Sequence, residues 1–230
     1  MLDLIIKNGK CYIDGELKSV DVAIKAGKIH KIDDIYDEAK EIINAEGQTV
    51  LPGCIDTQTH FREPGSTDTE DLHSGSRAAI VGGITSVFEM PNTNPPTSTK
   101  VEFKRKLDLA KNRMYCNYAF YFGATADNGS ELADLEKLEG CCGIKLFAGS
   151  STGNLLVAEE EDIDKVFQNS SKVVAVHSED EAILNTNKKL IKDGDVHSHP
   201  VWRSTECAIS STRRIVRIAN KYNKKAHILH

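Results

Sequence analysis

The sequence lacks any C-x-x-C pair, although it carries six cysteines: Cys11, Cys54, Cys116, Cys141, Cys142 and Cys207. Two of them are adjacent and the spacings form no even framework, so all six read as buried or incidental thiols of a reducing cytoplasm. No apolar run reaches the roughly 18 residues that a membrane span needs. Met1 is not followed by a basic segment and an apolar signal core. Positive charge is scarce too. The 29 Lys and Arg against 34 Asp and Glu leave a net charge of −5, which argues against a nucleic-acid or membrane-surface binder, since either needs a basic patch. Neither G-x-G-x-x-G nor G-x-x-x-x-G-K-[ST] follows any apolar run, which weighs against a nucleotide-binding open sheet. Internal repeats and low-complexity segments are also missing.

What is present is an ordinary soluble composition. The 230 residues, 40% apolar and 27% charged, suit one sizeable domain or one domain with a small appendage. Residues 1–50 read as short strands at Leu4–Ile6, Val20–Ile24, Lys28–Ile32 and Glu41–Ile43. Turn signals at Asn8-Gly9, Asp14-Gly15, Ala26-Gly27 and Asp33-Asp34 separate them. So short a run of hairpins makes a poor core alone and is expected to dock elsewhere.

From Val50 the rhythm changes. Apolar runs at Val50–Ile55, Ile84–Phe88, Tyr115–Phe122, Gly143–Phe147, Val173–Val176 and Ala226–Leu229 alternate with helical patterns. The helices are expected near Asp71–Val81, Thr99–Asn112, Ser130–Leu138, Glu159–Gln168, Asp180–Ile191 and Thr205–Tyr222. Repeated βα units with continuously apolar strands indicate an α/β fold with a parallel sheet, either open or part of a (β/α)8 barrel.

The C-terminal ends of these strands are polar, and in a parallel barrel those ends converge. The first carries Gln58, His60 and Arg62, the second Glu89 and Asn92, the fourth Lys145, the fifth His177, and the sixth His230. Singly, each has a plainer reading: a hydrogen-bonded histidine, a snorkelling lysine, a surface arginine, an asparagine in a turn. It is the coincidence that points to a site. Three imidazoles and a buried-looking lysine at ends of different strands are a donor set for zinc, which in catalytic sites keeps a position open for water. His30, His73, His197, His199 and His227 pair with no such signal, although His199 before Pro200 could line a pocket.

The stretches "DTQTHFREPG", "EMPNTNPPT", "GIKLF", "VHSEDE" and "HILH" together resemble the dihydroorotases of the metal-dependent amidohydrolase superfamily, over nearly the whole chain. The resemblance implies a (β/α)8 barrel, with about six strands in residues 51–230, and a small β domain to which residues 1–50 contribute. It implies reversible hydrolysis of the cyclic amide of dihydroorotate to carbamoyl aspartate, a cytoplasmic step of pyrimidine biosynthesis on a small-molecule substrate. His60, His177 and His230 resemble zinc ligands. Lys145 matches a lysine that many members carboxylate to bridge two metals. Arg62 and Asn92 resemble the residues that hold the substrate carboxylate, as a guanidinium fork matches a carboxylate.

Two departures qualify those expectations. Gln58 stands where the family has the first histidine of His-x-His, and a neutral amide is a weaker zinc ligand than imidazole. One of two metal positions is therefore expected to be weak, or the site to hold one ion. The family's catalytic aspartate comes from an eighth strand, expected beyond residue 230. Six strands alone leave two sheet edges open, so a homo-oligomer or a completing partner chain is the expected assembly. The alternatives are another cyclic amidohydrolase of hydantoinase or allantoinase type, and a non-catalytic truncated homologue.

Overall fold

The computed structural model describes residues 1–151 and 153–230. They divide into two compact units, Met1–Gly53 and Cys54–His230.

Met1–Gly53 holds seven strands: β1 (Leu2–Lys7), β2 (Lys10–Ile13), β3 (Glu16–Ser19), β4 (Asp21–Lys25), β5 (Lys28–Asp33), β6 (Ala39–Asn44) and β7 (Thr49–Val50). They form a four-stranded sheet in the order β5-β4-β1-β6 and a three-stranded sheet in the order β3-β2-β7. The expected turns fall where expected, with Asn8, Asp14 and Ala26 at φ of 64°, 52° and 51°. Hairpins alone do not describe the unit, because β1 pairs parallel with β6 and β2 parallel with β7. Such pairings join segments far apart in sequence, and no turn residue announces them. The β2–β3 hairpin about Asp14-Gly15 was also unassigned from sequence. The unit's main buried cluster is small: Leu2, Ile5, Ala23 and Ile35.

Cys54–His230 contains six parallel strands in sequential order: β8 (Cys54–Thr59), β9 (Ile84–Glu89), β10 (Asn117–Gly123), β11 (Cys141–Phe147), β12 (Val174–His177) and β13 (Ala226–Leu229). The sheet curls into a half-barrel of the (β/α)8 type. Between the strands lie α1 (Leu72–Val81), α2 (Lys100–Ala110), α3 (Leu132–Leu135), α4 (Glu160–Asn169), α5 (Glu181–Asn187), α6 (His199–Trp202) and α7 (Thr205–Lys221). Side chains alternate across the strands. Phe120, Phe122, Ile144, Leu146, Val174 and Val176 pack against the helices in the main core. A smaller cluster of Met90, Tyr121, Ala175 and Leu229 forms separately from it.

Element boundaries follow local chemistry. Asp71 caps α1, accepting from the Ser74 N–H at 2.6 Å, and Thr99 caps α2, accepting from the Glu102 N–H at 3.2 Å. α3 has no side-chain cap and lasts one turn, shorter than the expected Ser130–Leu138. The first barrel strand starts at Cys54 rather than Val50, because Pro52 offers no N–H for a ladder and interrupts the apolar run. That shift puts Asp56–Thr59 inside β8. The β8–β9 register breaks between Asp56 and Thr59, and such irregularities re-aim side chains at strand ends. Among the described residues, no helix is long and apolar enough to cross a membrane.

Candidate active site

Lys145 lies in the middle of the site. It sits in β11 in register with Gly123 of β10 and Ala175 of β12, and is 1% exposed. Its Nζ lies 4.4 Å from the centroid of the Phe147 ring. Among the described residues, no carboxylate or hydrogen-bond acceptor partners it. Desolvation alone lowers its pKa to about 7. A large share of this amine is therefore neutral at physiological pH.

His177, the last residue of β12, pairs in register with Phe147 and Leu229. This brings its ring within 5.0 Å of the His230 ring, centroid to centroid, at 67°. Burial, then the charges of His177 and Lys145, lower the His230 pKa. Neutral imidazole is the form that ligates metals. The Nε2 atom of His177 lies 2.6 Å from Glu179 Oε2. Glu179 is in turn gripped by Arg203, whose Nη2 also donates to the Ser150 carbonyl at 2.9 Å. Gly149 allows this approach, since a Cβ there would lie 2.6 Å from the Glu179 carbonyl oxygen. Glu179 was not singled out from sequence. Its signal was its place two residues after His177, but nothing local shows which strand-end carboxylate will fold back onto its histidine.

His60 and Asn92 meet at the other side. His60 Nδ1 and Asn92 Oδ1 are 2.8 Å apart. Burial, aided by the Arg62 and Lys145 charges, lowers the His60 pKa to about 4. Arg62 has φ of 59°, a left-handed conformation uncommon for a residue with a Cβ and worth explaining where it occurs. Arg62 and Asn92 line one cavity of about 340 Å³ with Ser66, Thr69 and Thr93. A second cavity, of about 720 Å³, is lined by His177, Glu179, His199, Arg203 and His230. His199 therefore does line a pocket.

Gln58 is half-buried in β8, two residues before His60. Its backbone N–H donates to Asp56 Oδ1 at 2.9 Å, and its amide makes no hydrogen bond among the described residues.

The donor chemistry suits a divalent ion on one side of this site. Two imidazoles, His177 and His230, adjoin a buried lysine amine. Among the described residues, no three of His, Cys, Asp and Glu gather closely enough to hold a metal. The first-strand side has one imidazole and one amide, a weaker pair.

Comparison with known proteins bears on these residues. A family model described as the amidohydrolase family matches residues 49–228. A dihydroorotase from Methanosarcina mazei is 34% identical over 237 residues, spanning 100% of this chain and 51% of the relative. An allantoinase from Escherichia coli is 31% identical over 240 residues, spanning 99% and 53%. Among solved structures, the L-hydantoinase of Arthrobacter aurescens superposes with a TM-score of 0.91 at 26% identity, spanning 100% of this chain and 53% of that one. The chain thus spans about half the length of the curated relatives it matches.

Proposed function

The chain belongs to the amidohydrolase family, and from that premise we propose that its site serves dihydroorotate hydrolysis and the reverse closure of carbamoyl aspartate in pyrimidine biosynthesis. One observation carries the choice of substrate: Arg62 and Asn92 line a single cavity, with His60 bound to Asn92. A guanidinium and an amide on one wall suit a ring bearing a carboxylate. Hydantoin and allantoin bear none.

His177, His230 and a carboxylated Lys145 would hold a divalent ion, with zinc the natural candidate for imidazole donors. When bound, that ion supplies Lewis-acid activation of water and of an amide carbonyl. The chain's own residues prepare the site. Burial keeps Lys145 available as a neutral amine, the form that takes up carbon dioxide. Glu179 engages His177 at Nε2 and so leaves Nδ1 as the donor atom. Arg62 anchors the carboxylate and thereby orients the ring. The six free thiols suit a cytoplasmic setting.

Two experiments test this reading. Binding of dihydroorotate is compared with that of dihydrouracil, which lacks the carboxylate, and hydrolysis is assayed in parallel with dihydroorotate, allantoin and hydantoin. Arg62→Met is expected to weaken dihydroorotate binding about 10- to 100-fold while leaving dihydrouracil unchanged, the effect of one charge-assisted pair. Equal turnover of all three rings would sink the assignment. Glu179→Gln is expected to weaken zinc binding about 10- to 100-fold, the usual cost of losing a carboxylate behind a histidine ligand. Titration against a chelating dye measures it, and an unchanged affinity removes Glu179 from the site.

Gln58 favours a second reading, a homologue that keeps the carboxylate cavity without turnover. Dihydroorotate binding with no hydrolysis would select it.

A further inference from the structure

An ion pair lies buried beneath the site and takes no part in the chemistry above. Glu89 ends β9 and Lys106 lies midway along α2; they are 1% and 0% exposed and in direct contact. Burying two charges is costly, and an apolar pair of similar volume often serves stability as well or better. The partners of this pair suggest what else it does.

Lys106 Nζ donates to the Met90 carbonyl at 2.9 Å, and its charge lies 5.2 Å from the Phe120 ring centroid. Met90 is the last residue before Pro91-Asn92, where β9 leaves the sheet. The Glu89 carboxyl lies close enough to the Phe61 backbone amide and the Arg62 charge for both to oppose the effect of its burial, and it stands in register with Thr59, the residue before His60. Phe61 stands between His60 and Arg62. One pair therefore bonds the backbone of one segment that carries the carboxylate cavity and packs beside the other. Other bonds join the same two segments: the Met90 N–H donates to the Thr59 carbonyl, and the Asn94 N–H to the Pro64 carbonyl, each at 2.9 Å. Phe61 itself is seated on Gly75, where a Cβ would fall 2.4 Å from its ring. With the Phe61 ring seated on Gly75 and its backbone beside Glu89, the chain enters Arg62 in the left-handed conformation, and Arg62 lines the cavity with Asn92.

We propose that Glu89 and Lys106 are positioning residues, which set the His60–Arg62 segment against Asn92 and so shape a subsite for a ring carboxylate. The inference rests on the carboxylate reading of that cavity. It extends that reading to two residues that touch neither substrate nor metal.

The test is the double substitution Glu89→Leu/Lys106→Met, which removes both charges together and keeps the volume. Two readouts go beyond stability. The first is the ¹⁵N resonance of His60 Nδ1, which reports its hydrogen bond to Asn92 without any ligand. The second is the ratio of dihydroorotate to dihydrouracil affinity. The proposal expects a shifted His60 signal and a ratio reduced about tenfold or more, with the unfolding midpoint close to that of the parent chain. A folded double variant with an unchanged His60 signal overturns it. If the parent chain shows no preference for the carboxylate, the carboxylate reading falls, and the His60 signal alone decides the positioning role. Hydrogen exchange on the parent chain needs no variant. The Met90 amide, bonded to the Thr59 carbonyl, is expected to exchange only through global unfolding, and fast local exchange there overturns the proposal.

Discussion

Lys145→Met is expected to empty the metal site while leaving the protein folded. Methionine matches the length of the lysine stem and suits the buried position beside Phe147. It also removes an amine whose desolvation is uncompensated by any carboxylate among the described residues. The apoprotein should therefore unfold no earlier than the parent chain, and slightly later if anything. Metal retention should behave in the opposite way. His177 and His230 alone would offer two donors, and among the described residues no third from His, Cys, Asp or Glu completes a set that could replace the lysine. Loss of a direct ligand should cost at least the roughly 100-fold that removal of an outer partner can cost. Metal analysis after dialysis is expected to fall from about one ion per chain to near none, since a catalytic zinc needs three protein ligands. Bicarbonate supplies a control. Depleting it should lower the metal content of the parent chain, where the proposed carbamate would form, and leave Lys145→Met unaffected. A variant that keeps the parent's metal content would show that Lys145 is not a donor.

Lys106→Met alone should be the most destabilising single change at the site's base, and its cost should depend on pH. Removing one partner of a buried ion pair typically costs about 3–5 kcal/mol, because the other charge stays buried without compensation. Burial already pushes the Glu89 carboxyl from 4.5 up to about 7, with the Lys106 ammonium opposing. An acid with a raised folded pKa binds its proton more readily in the folded state. Its contribution to stability is fully present below pH 4.5 and is lost as pH rises to about 7. Without Lys106 the upward shift grows, and the loss extends to higher pH. Urea unfolding at pH 8 should therefore show the full deficit. Towards pH 5, where the raised Glu89 carboxyl takes up its proton, the substitution strands less charge and the deficit should shrink. The double variant Glu89→Leu/Lys106→Met should lie within about 1 kcal/mol of the parent at pH 8, and its stability should lack the parent's dependence on pH through Glu89. An equal deficit at pH 5 and pH 8 would show that the carboxylate of Glu89 is not what the lysine compensates.

Much of this architecture is written in short-range pattern. Continuous apolar runs alternating with amphipathic segments are sufficient to specify parallel βα units, and sequential βα units place their strands side by side. His60, Lys145, His177 and His230 could be named because each stands at or near the end of one such run. The turns at Asn8, Asp14 and Ala26 were legible for a similar reason: residues near glycine that tolerate positive φ mark themselves locally. The sequence by itself therefore determined the strand order, the donor types at the strand ends, and the doubt attached to Gln58.

Tertiary structure decided the rest, because it depends on contacts between segments that carry no mutual signal. The parallel pairing of β1 with β6 joins residues more than thirty positions apart. The start of β8 at Cys54 follows from pairing against β9, which Pro52 excludes further upstream. Glu179 became part of the site only when Arg203, 24 residues away, closed on it. Nothing local in the sequence sets Lys106 apart from the other charges of α2; packing of the helix on the sheet buries it against Glu89. A residue's period states which face it occupies, but what lies opposite that face is set by the packing of the whole unit.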